Sequence, residues 1–172
     1  AGSTSPARVV TRNEAPTGAG LASSASGFAA LATAAADAYG LDLSSRELSR
    51  LARRGSGSAT RSVLPGLAMW HAGSDEESFA EPVDGPDLRM VIVFVDESHK
   101  SVTSREAMRR TAATSPFHEA WISSTAHSLD DALAACAADD FTTLGRITES
   151  NALRMHAVIQ SAEPPIRYLT SR

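Results

Sequence analysis

The stretch from Pro16 to Gly40, PTGAGLASSASGFAALATAAADAYG, constrains this chain more than any other. Pro16, Gly18 and Gly20 break regular structure, and the chain then turns serine-rich and alanine-rich. A helix is therefore expected from Ser23, with Phe28, Ala32, Ala35 and Tyr39 recurring at helical spacing and Gly40 ending it. Its small-residue face suits close packing, expected here against a sheet. A glycine turn feeding a helix start also suits an anion. First-turn N–H groups and the helix dipole favour phosphate, glycines allow close approach, and Ser23 and Ser24 add hydroxyl donors. The plainer reading of the same residues is a serine-capped helix after a turn. The loop is not a Walker A loop, because no lysine follows the second glycine in the required place, and it is not the GxGxxG dinucleotide fingerprint.

Composition narrows the classes of function. At 172 residues and 42% hydrophobic, the chain is long enough to bury a core as one domain or two small ones. A net charge of -4 without a long basic run argues against nucleic acid as a partner, since binding to it needs clustered Lys and Arg. The longest apolar run, Met90 to Val95, is too short to span a bilayer, and AGSTSPARVV has no apolar signal core, so the expected location is cytoplasmic. The single cysteine, Cys136, has no CxxC or histidine pattern beside it and reads as a small, reduced core residue.

Along the chain, Ala7 to Thr11 reads as a short strand. Ser44 and Glu47 have capping-box spacing ahead of a second helix that runs into Arg53 and Arg54. A glycine-rich break, GSGSATRS, follows, and then Leu67 to Trp70 and Ser78 to Val83 read as strands joined by the polar AGSDEES. Gly85, Pro86 and Asp87 form the best boundary, giving domains 1–86 and 87–172. The second opens with LRMVIVFV, read as a buried strand. Thr103 with Glu106, and Ser128 with Asp131, have the spacing of helix starts. Leu144, Ile147, Met155 and Val158 mark a longer amphipathic helix stopped by Pro164 and Pro165. Strands and helices mix without strict βαβ alternation, which gives an α+β class.

The whole string NEAPTGAGLASSASGFAALA resembles the phosphate-binding loop of the GHMP kinase superfamily, most closely that of diphosphomevalonate decarboxylases. LSRLARRGSGSATRS (48–62), VTSREAMRRTAATSPF (102–117) and MHAVIQSAEPPIRYL extend the likeness over nearly the whole chain in the expected order. The resemblance implies a partial GHMP kinase fold, a ribosomal S5 domain 2-like portion followed by a ferredoxin-like portion. It also implies ATP and Mg2+ as cofactors and conversion of diphosphomevalonate to isopentenyl diphosphate, ADP, phosphate and CO2. Gly18, Gly20, Ser23, Ser24 and Ser104 then become nucleotide-binding candidates. Ser56, Ser58, Arg61 and Arg105 become candidates for holding diphosphomevalonate, with Arg61 toward the departing carboxylate and Arg105 toward the diphosphate. Taken alone, GSGSATRS is equally a polar loop with a surface arginine, and Ser104 and Arg105 a capped helix start with an exposed side chain.

The remaining polar and aromatic residues have plainer readings. His156 reads as a satisfied core histidine on the helical face of Ala152 and Ile159. Trp70 and Trp121 read as core or interface aromatics, and the adjacent Asp96 and Glu97 as solvated turn residues rather than a metal site.

The likeness has gaps. Pro65 and Leu67 stand where the family has a glycine and an aromatic. Neither the NIALIKYWGK-like segment nor the DAGPN-like motif with the catalytic aspartate is among the 172 residues. The chain thus resembles the family's middle portion, and the expectation is binding without turnover, together with self-association, such as a homodimer, through uncovered sheet edges. A GHMP small-molecule kinase and a non-catalytic binding or assembly protein are the alternatives. GSGSATRS and TSREAMRRT count against the kinase.

Overall fold

The computed structural model describes residues 4–14, 21–93 and 102–168. Its elements run α1 (Ser23–Ala38), α2 (Ser45–Gly55), α3 (Ala59–Ser62), β1 (Ala68–Trp70), β2 (Ala80–Pro82), α4 (Ser104–Thr114), α5 (His118–Ala137) and α6 (Phe141–Gln160). The chain divides into two compact units, one of Ala1–Val83 with Leu88–His99 and the other of Asp84–Asp87 with Lys100–Arg172.

In the first unit, α1 buries Ala25, Ala29, Ala32 and Ala36, a stripe at three- and four-residue spacing. Ala29 and Ala32 meet Ala52 of α2 and Ala59 of α3, with Leu48 and Val63 packed against them. Side chains this small let helix axes approach closely. The expected packing partner was a sheet, but α1 packs on α2 and α3, because the GSGSATRS break contains the short helix α3. The buried stripe is also turned from the one expected, with Phe28 39% exposed.

The predicted capping box of α2 is present. The Ser44 N–H donates to Glu47 Oε2 at 2.9 Å, and the Glu47 N–H donates to Ser44 Oγ at 3.3 Å. One turn on, Ser49 is completely buried; its hydroxyl donates to the Thr60 carbonyl at 2.7 Å and accepts the Ala80 N–H at 2.8 Å. One polar side chain thus joins α2, α3 and β2. The two strands pair antiparallel as expected, with Ala68 opposite Pro82, Met69 opposite Glu81 and Trp70 opposite Ala80. Their connection is tied to α2 by Asp75, whose carboxylate accepts from Arg50, Arg53 and Arg54. Arg46 adds a bond to the Glu76 carbonyl at 2.9 Å and lies 4.0 Å over the Phe79 ring.

In the second unit, Thr103 caps α4, accepting the Glu106 N–H at 3.3 Å, as its spacing predicts. Ala107 packs with Ala162 and Ile166, with Val102, Ile159 and Tyr168 around them. Helices α5 and α6 form a hairpin closed by Asp139 at φ 53 and by Asp140, which accepts the Thr143 N–H at 2.9 Å. Arg154 of α6 donates to Ser128 of α5 at 2.8 Å, and Asn151 to Thr125 at 3.3 Å. Cys136 is buried, as expected.

Several expectations are corrected. Ala7 to Thr11 is not a strand, and Val9 and Val10 are exposed. Residues 88–93 of LRMVIVFV likewise form no strand, with Met90 88% and Val91 87% exposed. Hydrophobicity and β-propensity mark such segments, but a strand forms only where another backbone supplies its ladder of hydrogen bonds, and neither segment belongs to the described sheet, which consists of β1 and β2. Ser128 does not start a helix. It lies inside α5, where its hydroxyl donates back to the Ser124 carbonyl at 2.9 Å. His156 is half-buried but Ala152 is exposed, so the two do not share one buried face. Asp96 and Glu97 lie outside the described residues. Among the described residues no helix is long and apolar enough to cross a membrane.

Candidate functional site

The N-cap of α1, Ala22, adopts left-handed φ 50 and ψ 41, and its carbonyl accepts the Ala25 N–H at 2.7 Å; among the described residues no side chain caps the first turn. For a residue with a Cβ this conformation costs about 1–2 kcal/mol, so the surrounding chain must hold it. Ser23 is half-buried and Ser24 exposed at the first helical positions. Gly18 and Gly20 lie outside the described residues.

Ser24 reaches the second predicted loop. Its Oγ lies 3.3 Å from Ser56 Oγ, and Ser56 Oγ lies 3.2 Å from Ser58 Oγ, a chain of three hydroxyls. The packing beneath explains the approach. Phe28, one turn below Ser24, lies against Gly55, where an added Cβ would fall 2.0 Å from the ring. Only glycine lets the end of α2 sit that close, and Ser56 follows it directly. Ser56 and Ser58 are half-buried.

Arg61 extends from α3 into solvent. Among the described residues it has no carboxylate partner; its guanidinium carbon lies 6.0 Å from the centre of the Trp70 ring. That contrasts with Arg50, Arg53 and Arg54, all committed to Asp75. The Arg54 and Arg50 bonds hold the Asp75 carboxyl below its ordinary pKa, which keeps it charged. The second unit places Ser104 and Arg105 at the first two positions of α4, both exposed, while Thr103 does the capping. Of the residues that sequence reading names as candidates, the structure brings together Ser24, Ser56 and Ser58. That reading did not single out the Phe28–Gly55 contact beneath them or Ser49, which ties α2 to α3 and β2. The only signal for Gly55 was its place at the end of a helix, and nothing in the spacing marked its contact with Phe28.

Residues 1–80 match the diphosphomevalonate decarboxylase-like N-terminal domain, and residues 90–172 match the mevalonate 5-diphosphate decarboxylase C-terminal domain. The chain belongs to the diphosphomevalonate decarboxylase family. It is 43% identical to the diphosphomevalonate decarboxylase of Aspergillus fumigatus over 97% of this chain and 43% of that protein. Mevalonate diphosphate decarboxylase from Staphylococcus aureus superposes with a TM-score of 0.80 at 42% identity, covering 91% of this chain and 49% of that one. A structure described as MDDEF in complex with MVAPP, AMPPCP and magnesium superposes with a TM-score of 0.79 at 43% identity, covering 91% and 49%. The fold is therefore part of the GHMP kinase fold, in the α+β class expected. The chain spans less than half the length of the curated relatives it matches.

Proposed function

We propose that these residues supply the phosphate-holding and substrate-holding part of an ATP-dependent decarboxylase acting on diphosphomevalonate. The carrying observation is the chain Ser24, Ser56, Ser58, which puts a nucleotide-loop serine within hydrogen-bond distance of two substrate-loop serines. Phosphoryl transfer needs the nucleotide and its acceptor held side by side, and the serine chain is consistent with that. The γ-phosphate and the accepting hydroxyl must be held nearly in line, and most of the catalysis is positioning and charge stabilisation.

In the proposed reaction, the tertiary hydroxyl of diphosphomevalonate takes the γ-phosphoryl group of ATP. Its C–O bond then breaks with the electron pair leaving on phosphate, while the electrons of the C–C bond to the carboxylate form the alkene and CO2 departs. Ser23, Ser24 and the first turn of α1 would hold nucleotide phosphates, with Gly18 and Gly20 assigned to the same role. Ser56 and Ser58 would donate to the substrate, and Arg61 would face its carboxylate until decarboxylation. Ser104 is assigned to nucleotide phosphates and Arg105 to the diphosphate. Magnesium enters with the nucleotide as part of the substrate. Among the described residues no group of three or more His, Cys, Asp or Glu could hold a metal. The DAGPN-like aspartate motif is not among these 172 residues, so the reading gives them binding and orientation, with the aspartate's role left outside them.

The reading extends to a cytoplasmic setting and to self-association as a homodimer, supported by the exposed apolar run at residues 90–93. A clean monomer in sedimentation at high concentration would contradict the latter. The function itself is tested by calorimetric titration of diphosphomevalonate into the chain, wild type and with Arg61→Ala or Arg105→Ala. Saturable binding weakened by each substitution is expected. Wild-type binding indifferent to both would refute the assignment.

A further inference from the structure

We infer that Trp70 is a positioning residue for the Ser56–Arg61 segment, an assignment that rests on reading that segment as substrate-holding. Trp70 ends β1, and its indole Nε1 donates to Ser78 Oγ at 2.9 Å, a bond that fixes the plane of the ring. The far edge of the ring lies against Gly57, where an added Cβ would sit 3.1 Å from Cη2. Gly57 is the link between Ser56 and Ser58, whose hydroxyls lie 3.2 Å apart. The guanidinium of Arg61 stands 6.0 Å from the ring centre, at the outer edge of cation–π attraction. One ring thus limits both the backbone between the two serines and the sweep of the arginine.

The ring is not simply core. It is 39% exposed, while its one polar atom is already satisfied by Ser78. Arg61 has no carboxylate partner among the described residues, so an incoming anion must freeze a long, otherwise free side chain. A rigid aromatic surface beside it removes part of that freedom before binding. The ring therefore acts through Arg61 and Gly57, and no contact of its own with the substrate is needed.

The test is a double-mutant cycle read by calorimetric titration of diphosphomevalonate, with thermal melts alongside. Trp70→Leu is expected to weaken binding about tenfold when Arg61 is present and about twofold or less in an Arg61→Ala background, because coupled residues are non-additive. Trp70→Phe, which keeps a ring, should restore most of the affinity. Ser78→Ala frees the ring without removing it; it should weaken binding about threefold with Arg61 and hardly at all without it, and it carries the test if Trp70→Leu does not fold. Equal losses in both backgrounds, or none in either, overturn the inference while leaving the substrate reading standing. Absence of binding by the wild-type chain overturns the substrate reading, and this inference with it.

Discussion

The hydroxyl oxygens of Ser24 and Ser56 lie 3.3 Å apart across 32 residues of sequence. A serine at the start of α1 and one just past the end of α2 meet because Phe28 and Gly55, directly beneath them, pack without a side chain between. The contact joins the two loops that the proposal assigns to nucleotide phosphates and to diphosphomevalonate.

Ser56→Ala should therefore weaken diphosphomevalonate binding with little effect on folding. Hydrogen bonds to charged groups contribute about 1.5–3 kcal/mol, or roughly 10- to 150-fold in affinity. Among the described residues the half-buried hydroxyl bonds only to other serines, so the melting temperature should hold nearly constant. Calorimetry beside a thermal melt separates the two effects. A large drop in melting temperature with unchanged affinity would show Ser56 to be structural.

Ser49→Ala should do the reverse. It leaves the buried Ala80 N–H and Thr60 carbonyl without their partner, at a cost of about 1–3 kcal/mol. Urea unfolding reads this directly. A change below about 0.5 kcal/mol would mean that these groups find other partners, as at an ordinary surface site.

At Gly55, alanine forces the Phe28 ring away from a contact with no room for a Cβ. Overpacking of this kind costs about 1–3 kcal/mol, and it should also part Ser24 from Ser56. Gly55→Ala is thus predicted to lose both stability and affinity, while Gly55→Ala combined with Phe28→Ala should regain affinity before stability. Affinity unchanged in the single variant would separate the Phe28 packing from the serine contact.

Legibility in the sequence followed the range of the interaction. Caps are local, so Ser44 with Glu47 and Thr103 with Glu106 were readable from spacing alone. The same signature misled at Ser128, because α5 was already running when the chain reached it. Ser24, Ser56 and Ser58 were named as candidates through family motifs, but the approach of Ser24 to Ser56 was not, since it depends on the fit of Phe28 to Gly55. The apolar runs at Val9–Val10 and Met90–Val93 were read as strands because periodicity reports what a segment prefers and cannot report whether a partner backbone is there.

Acid should loosen the first unit through Asp75 and Glu47. Bonds from Arg54 and Arg50 lower the Asp75 pKa, and bonds from Ser44 lower that of Glu47. A carboxyl whose folded pKa is depressed contributes stability that is full above its unfolded value and is lost as pH falls through the folded one. The melting temperature should therefore be flat above the ordinary values of 3.8 and 4.5 and fall below them, and Asp75→Asn should blunt the fall. An identical acid slope in Asp75→Asn would remove the arginine clamp from the account.

The central claim is that these residues hold the reactants but do not by themselves complete the reaction. The most direct measurement is CO2 release at diphosphomevalonate well below its KM, with ATP and Mg2+, made on the 172-residue chain and on a chimera joining it to the flanking segments of the Aspergillus fumigatus relative, which this chain covers over 43% of its length. The account predicts no release above the uncatalysed blank for the chain alone and turnover by the chimera that falls at least about tenfold with Arg61→Ala, as expected for loss of a charge-assisted contact. Robust CO2 release by the chain alone, or a folded chimera indifferent to Arg61→Ala, would contradict it.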